Sequence, residues 1–228
     1  MELANGAVSL KYAYNKAFKS DSQRLAVSLR SSIAKRRSHL NAALSINFEN
    51  EECVDIKYYA DFFDVLVTDC REAAEIWGKE CTPYSRRAYV KAVFSFIDGN
   101  TYRLNQLWLD CHQVGSFTLT KVQINKLLGY KFGEDGSKVP LKSSILDSVK
   151  LSFSVPSKAR GIDNPLNTFG NEWCTFKEAV RIRNRLTHPK SVNDLEVSLD
   201  EMKIIESASD FYRQSTMALM QRLAGIEA

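Results

Sequence analysis

YSRRAYVKAVFSFIDGNTYRLNQLWLDCH, residues 84–112, is the longest and most apolar run of this chain. Ala88, Val90, Val93, Phe94, Ile97, Leu104, Leu107 and Trp108 recur close to the three- and four-residue steps that gather side chains on one side of a helix. The run is too long for a strand and predicts a core-forming helix. Thr82-Pro83 immediately before it resembles a helix start, since proline is tolerated in the first turn. Gly99 interrupts the pattern, which weakens a helix unless close packing needs a small residue there.

Working outward, residues 56–78 predict a helix with Phe62, Val65, Leu66, Cys70, Ala73 and Trp77 as its apolar stripe. Residues 7–45 look helical but weakly patterned, with Leu25, Leu29, Ile33 and Leu40 near helical spacing, and residues 47–55 read as an acidic loop. Downstream, residues 119–128 predict a short helix. Residues 130–140, with Gly133 and Asp135-Gly136, read as a turn or small hairpin. Residues 141–153 read as helical and residues 157–171, holding Gly161, Pro165 and Gly170, as a connecting loop.

Two capping boxes are visible near the C-terminus, Thr175 with Glu178 and Ser198 with Glu201. The first predicts a helix that ends near His188, because Pro189 disfavours helical geometry in the residue before it. The second predicts a helix to about Leu223 with Met202, Ile205, Ala208, Phe211, Tyr212 and Met220 on its inner side. The expected architecture is all-α, a helical bundle with at most a minor hairpin. Residues 1–80 are expected to form an N-terminal helical region and residues 81–228 the main helical domain, the two making one compact unit.

Composition agrees with a globular chain. Of 228 residues, 44% are hydrophobic and 25% charged, enough to bury a sizeable core. Ten glycines and five prolines are too few for a turn-rich all-β fold. No stretch approaches the roughly 18 apolar residues of a membrane span, and Lys11, Lys16 and Lys19 break up any signal-peptide core. The expectation is a cytoplasmic protein without membrane contact. Cys53, Cys70, Cys81, Cys111 and Cys174 form no C-x-x-C pair and no metal-ligand spacing. They are expected to be reduced and mostly buried. Neither a Walker-type loop nor a zinc-binding set is present, so no cofactor and no metal is expected.

The net charge of +4 is small, but its distribution is uneven. Eight Lys and Arg in the first 50 residues face only Glu2, Asp21 and Glu49, and Arg181, Arg183, Arg185 and Lys190 cluster without an acid among residues 181–190. Such clusters can collect phosphates, and they can equally be solvated helix faces.

Arg183-Asn184-Arg185-Leu186-Thr187-His188 is the most informative stretch for function. It resembles the R-x(4–6)-H motif of the HEPN superfamily, α-helical bundles widespread in bacterial defence systems, toxins and RNA-processing enzymes. Asn184 matches the polar residue that commonly follows the arginine there. Phe94 to Gly99 resembles the family's preceding core helix, with Asp98 where an acidic residue, more often Glu, is common. The likeness covers residues 83–223 in outline and is specific only over the short motif. Lys190 stands where some HEPN toxins carry Tyr, which puts tyrosine modification at this motif in doubt.

The resemblance implies a metal-independent endoribonuclease in which Arg183 and His188 act on the phosphodiester. Asn184 would orient or bind phosphate, and Asp98 would pair with Arg183 or steer it. Arg181, Arg185 and Lys190 are candidate RNA contacts. The residue types suit this chemistry. RNA carries its own nucleophile, the 2′-OH; a histidine can remove its proton or protonate the leaving 5′-oxygen. An arginine can hold the phosphate through two hydrogen bonds and offset its developing charge.

Five residues at roughly 100° each set Arg183 and His188 about 140° apart around an ideal helix. Two motifs meeting across a homodimer would bring four groups together, as HEPN ribonucleases are thought to do; a loosened helix end is the other solution. The rival function is a non-catalytic helical module that binds nucleic acid, a nucleotide or a protein. The family reading also admits an inhibitor or partner protein. Other candidates are weaker. His112 beside Cys111 lacks a third partner for thiol–imidazole chemistry, His39 lies in a basic, polar run, and Trp77, Trp108 and Trp173 sit among apolar neighbours as core residues do.

Overall fold

The computed structural model describes residues 56–116 and 118–223. They form six α-helices, one short 3-10 turn and a two-stranded hairpin. We label them α1 (Ile56–Glu80), α2 (Pro83–Gln113), α3 (Lys121–Leu128), β1 (Tyr130–Phe132), β2 (Lys138–Pro140), α4 (Ile145–Arg160), α5 (Asn171–Thr187) and α6 (Leu199–Leu223), with the 3-10 turn at Val192–Leu195. The mainly α architecture expected from the sequence is present. The expected helix over 7–45, the acidic loop 47–55, His39, Cys53 and the N-terminal basic cluster lie outside the described residues.

α2 is the axis of the molecule. Thr82 caps it: its side chain accepts from the Ser85 amide while Ser85 Oγ accepts from the Thr82 amide, and Pro83 fills the first turn where its missing N–H costs nothing. Cys81 adopts a left-handed backbone, φ 52°, and the chain reverses there. α1 therefore runs antiparallel to α2, with Tyr59 hydroxyl donating to Asp110 at 2.8 Å near one end and Trp77 stacked on Tyr89 at 5.3 Å near the other. The 80/81 boundary thus falls inside a tight helical hairpin.

Gly99 lies at the crossing of these two helices. A Cβ there would stand 2.7 Å from Leu66 Cδ1 and 3.3 Å from the Phe62 ring. Close packing, the condition that makes a mid-helix glycine tolerable, is therefore met. Gly99→Leu is expected to destabilise the fold by about 1–3 kcal/mol, as overpacking does, despite the better helix propensity of leucine. A urea unfolding curve with no loss of midpoint would contradict this packing.

α5 and α6 form a second antiparallel pair against α2. Phe176 is fully buried and lies 5.3 Å from Trp173, 6.1 Å from Phe211 and 6.2 Å from Tyr212, ring to ring. Tyr212 also meets Phe96 of α2 and Phe153 of α4 edge-on, so one ring joins four helices. Its hydroxyl is not left unsatisfied in the core. Asn100 Nδ2 donates to it at 2.9 Å, and Thr101 Oγ1 lies 2.9 Å from it.

The stripe expected for the last helix is buried from Met202 to Met220, and Ser198 and Glu201 exchange the two bonds of a capping box. The other box does not form. α5 starts one turn earlier, at Asn171 after Gly170, with no side-chain cap, and Thr175 Oγ1 donates back to the Asn171 carbonyl inside the helix. Burial of Trp173 against Phe176 and Phe211 holds that extra turn in helical form. α4 starts later than expected, at Ile145 rather than 141, and runs past its expected end through Pro156 to Arg160, into the stretch read as a connecting loop. Proline removes the N–H that would bond the Ser152 carbonyl. Trp108 Nε1 from α2 donates to that carbonyl instead, at 2.8 Å.

The three tryptophans are core residues, each at most 3% exposed. The expectation that the cysteines are mostly buried holds for Cys70 and Cys111; Cys81 and Cys174 are exposed. No helix among the described residues is long and apolar enough to cross a membrane.

Candidate functional site

The site residues are carried by α2 and α5, which cross where Asp98 faces Arg183. Arg183 Nη2 lies 3.0 Å from Asp98 Oδ2, and Arg183 Nη1 donates to Asn184 Oδ1 at 3.1 Å. Asp98, Arg183 and Asn184, expected to act together from their positions in the sequence, are one cluster in space. A guanidinium carries five N–H donors, so these two bonds orient Arg183 and leave donors for a ligand. Both side chains of the ion pair keep access to solvent, 31% for Arg183 and 40% for Asp98.

Partial burial pushes the Asp98 carboxyl above its ordinary range, and Arg183, by charge and hydrogen bond, acts against that rise. Ionising Asp98 therefore costs folding stability as the pH rises through its folded-state value; the favourable share is present at lower pH. Arg183→Gln is expected to move Asp98 still higher, since it removes the group that lowers it. Carbon-13 titration of the Asp98 carboxyl in both proteins checks this. An unchanged or lower midpoint in the variant would mean that the pair does not form.

The cluster opens on a cleft of about 700 Å³. One wall is a single face of α2, Asp98, Thr101, Tyr102 and Asn105, at the one-turn spacing of a helix. The rest of the lining includes Arg183 and Asn184 of α5, Lys126, Leu127 and Leu128 at the end of α3, and Ser143 to Leu146 at the start of α4. The hairpin follows Gly129, whose φ of 75° ends α3 and turns the chain. Tyr102, Asn105, Lys126, Ser143 and Ser144 were not among the residues singled out from the sequence. The faint signal was a row of polar side chains at helical spacing, Asp98, Thr101 and Asn105, within an otherwise apolar helix.

His188 does not line this cleft. It is the exposed C-cap of α5, its amide bonded to the Asn184 carbonyl at 3.0 Å, with φ −128° and ψ 59°. Pro189 ends the helix as expected. Within one chain, Arg183 lines the cleft while His188, exposed at the helix end, does not.

The neighbouring basic residues divide. Arg181 is exposed and bonds Glu178 at 2.9 Å on its own helix. Arg185 is committed to structure, reaching the Glu196 carbonyl at 2.7 Å and the Glu201 carboxylate at 2.9 Å. Burial raises the Glu201 carboxyl, but the bonds from Arg185 and the Ser198 amide outweigh it and hold Glu201 below its usual range. Its contribution to stability is accordingly lost as the pH falls through the acid range. Lys190 is exposed, and its backbone amide, with that of Ser191, is held by Asp194.

No protein-family model, curated protein or solved structure matches this chain.

Among the described residues no group of three or more His, Cys, Asp or Glu side chains is placed to hold a metal ion. His112 Nδ1 accepts from the Leu119 amide at 3.3 Å, a loop contact, and burial pushes the Cys111 thiol up to about 11. The adjacent pair therefore has the features of structural residues rather than of an activated nucleophile.

Proposed function

We propose that the chain is a metal-independent endoribonuclease of the HEPN type, working as a homodimer. The observation that carries this reading is Arg183, half-buried, oriented by Asp98 and Asn184, and lining a cleft of mixed polar and apolar surface with donors to spare. In the reaction His188 removes the proton from a ribose 2′-OH, and the freed oxygen attacks the adjacent phosphorus. The 5′-oxygen leaves, taking up a proton, and the products end in a 2′,3′-cyclic phosphate and a 5′-OH. Arg183 offsets the charge that builds on the phosphoryl oxygens.

The absence of His188 from the lining that holds Arg183 supports the homodimer, in which the histidine of one protomer meets the arginine of its partner across a two-fold axis. A role in bacterial defence or a toxin system, with an inhibitor or partner protein, rests on the motif's resemblance alone. The same absence favours the rival reading, a non-catalytic module that binds RNA in the cleft.

Incubation with structured and single-stranded RNA in the presence of EDTA tests the proposal. Cutting that survives the chelator and leaves cyclic phosphate ends is the expected result. Sedimentation should show a dimer at micromolar concentration. RNA that is bound but never cut would establish the rival, and a monomer that cuts RNA would remove the shared site.

A further inference from the structure

The β-hairpin stands apart from the helical core. Its one substantial neighbour is α3, and every residue of β2 is exposed. The ladder runs one rung past the strands at each end. The Leu141 amide donates to the Gly129 carbonyl at the base, and the Gly133 amide donates to the Ser137 carbonyl at the tip, each at 2.8 Å. Bonded rungs of an antiparallel pair alternate with unbonded ones. Lys131 opposite Val139 is therefore the bonded rung between them, and the backbone N–H and C=O of Tyr130 and Phe132 point away from β2. Neither of these amides finds an acceptor among the described residues.

The two edges of the hairpin are not equivalent. On β2 the outward position Pro140 has no N–H, and proline on an edge blocks further pairing. β1 carries no such block. Unpaired N–H and C=O groups in a row are a template for another strand. The side chains say what fits. Tyr130 and Phe132 share one face, with rings 5.6 Å apart; Phe132 is 59% exposed, and the Lys138 ammonium lies 4.7 Å from the Tyr130 ring. Lys131 stands on the other face.

Charge along the strands and stem is positive: Lys126, Lys131, Lys138 and Lys142, all exposed. Glu134 and Asp135 lie at the tip, where Asp135 is held by Ser137. A second copy of β1 is disfavoured, because antiparallel pairing centred on Lys131 sets like charges opposite each other. A phosphate could use the lysines but not the outward carbonyls, which need a donor.

We infer that the β1 edge is a docking surface for a partner protein, which adds an extended segment to the hairpin as a third strand. The segment alternates apolar residues, beside Tyr130 and Phe132, with acidic ones, beside Lys131. This surface does not depend on the RNA reading above.

The test is nitrogen-15 NMR of the full chain, titrated to millimolar concentration with a seven-residue peptide of alternating valine and glutamate. Shifts should concentrate at residues 129–133, and the Tyr130 and Phe132 amides should exchange more slowly with heavy water. The same peptide with every amide N-methylated should bind at least about tenfold more weakly. Phe132→Pro removes an outward donor without touching a ladder bond and should weaken binding about tenfold, whereas Phe132→Val should retain it. Lys131→Glu should reverse the charge preference, favouring a peptide of alternating valine and lysine. An unchanged Leu141 amide signal confirms that the hairpin persists in each variant.

No shift at residues 129–133, equal binding of the N-methylated peptide, or an unchanged charge preference in Lys131→Glu would each overturn the proposal. Shifts at the hairpin with a 12-nucleotide RNA and none with the peptide would overturn it too, and make the hairpin a nucleic-acid surface.

Discussion

His188→Ala and Arg183→Ala are each expected to remove most RNA cleavage while leaving the fold intact. Loss of a general acid–base group lowers rate by about 10²–10⁴. His188 is an exposed C-cap outside the cleft, so its truncation removes little packing, and surface changes of that kind usually stay within about 0.5 kcal/mol of wild type. A rate loss with unchanged unfolding is therefore the signature of chemistry. Arg183 differs, because its guanidinium also holds Asp98 and Asn184. Removing it takes away both the phosphate donors and the partner of a half-buried carboxylate, so a modest loss of stability accompanies a rate loss of similar size.

Arg183→Lys should rescue little, since a point charge cannot reproduce a planar fork held by two neighbours. The deciding assay is end-group analysis of RNA cut by wild type beside the variants. Undiminished cutting by His188→Ala would place the reaction at another site or in a contaminating nuclease. If the site is shared between protomers, mixing His188→Ala with Arg183→Ala protein should restore part of the activity through hybrid dimers with one intact site. Failure of that mixture, with exchange of subunits demonstrated, would confine the site to one chain.

Phe176→Ala is expected to cost about 3–5 kcal/mol, the usual range for emptying an aromatic core site. Phe176 has no exposure and touches the rings of Trp173, Phe211 and Tyr212. The space left is bounded by aromatic rings on α5 and α6, which cannot easily collapse into it. Native domains are stable by roughly 5–15 kcal/mol in total, so this single change takes a large share of the whole. It also loosens the seat of α5, the helix that carries Arg183 to Asp98. Urea unfolding gives the stability, and a loss below about 1 kcal/mol would contradict the packing of α5 on α6.

Much of the fold was legible because its signals are local. Thr82-Pro83 before an apolar run, Ser198 three residues before Glu201, Pro189 after the motif and the spacing of Met202 to Tyr212 all act within a turn or two of helix. The structure shows a start, a cap, a stop and a buried face at these places. Thr175 and Glu178 carried the same local signal, yet α5 begins at Asn171. Contact of Trp173 with Phe176 and with Phe211 on another helix outweighs a capping bond worth about 1 kcal/mol. Residues from 157 on read as a loop, yet α4 continues through Pro156 to Arg160, because an indole N–H from α2 reaches the carbonyl that proline leaves unbonded.

For the candidate site the division is similar. The sequence by itself determined that Arg183, Asn184 and His188 share one helix end, and that the charge of Asp98 within an apolar helix needs a partner. The resemblance already pointed to Arg183 as that partner; the tertiary structure alone set the two 3.0 Å apart across 85 positions of chain and left His188 out of the cleft lining. It alone brought Tyr102, Asn105, Lys126 and Ser143 around one space. Capping and periodicity act between residues a few positions apart and leave their mark in short windows of sequence. A cleft is made by where four helices stop and cross, which the burial of Tyr212, Phe176 and Phe153 sets from the other side of those helices.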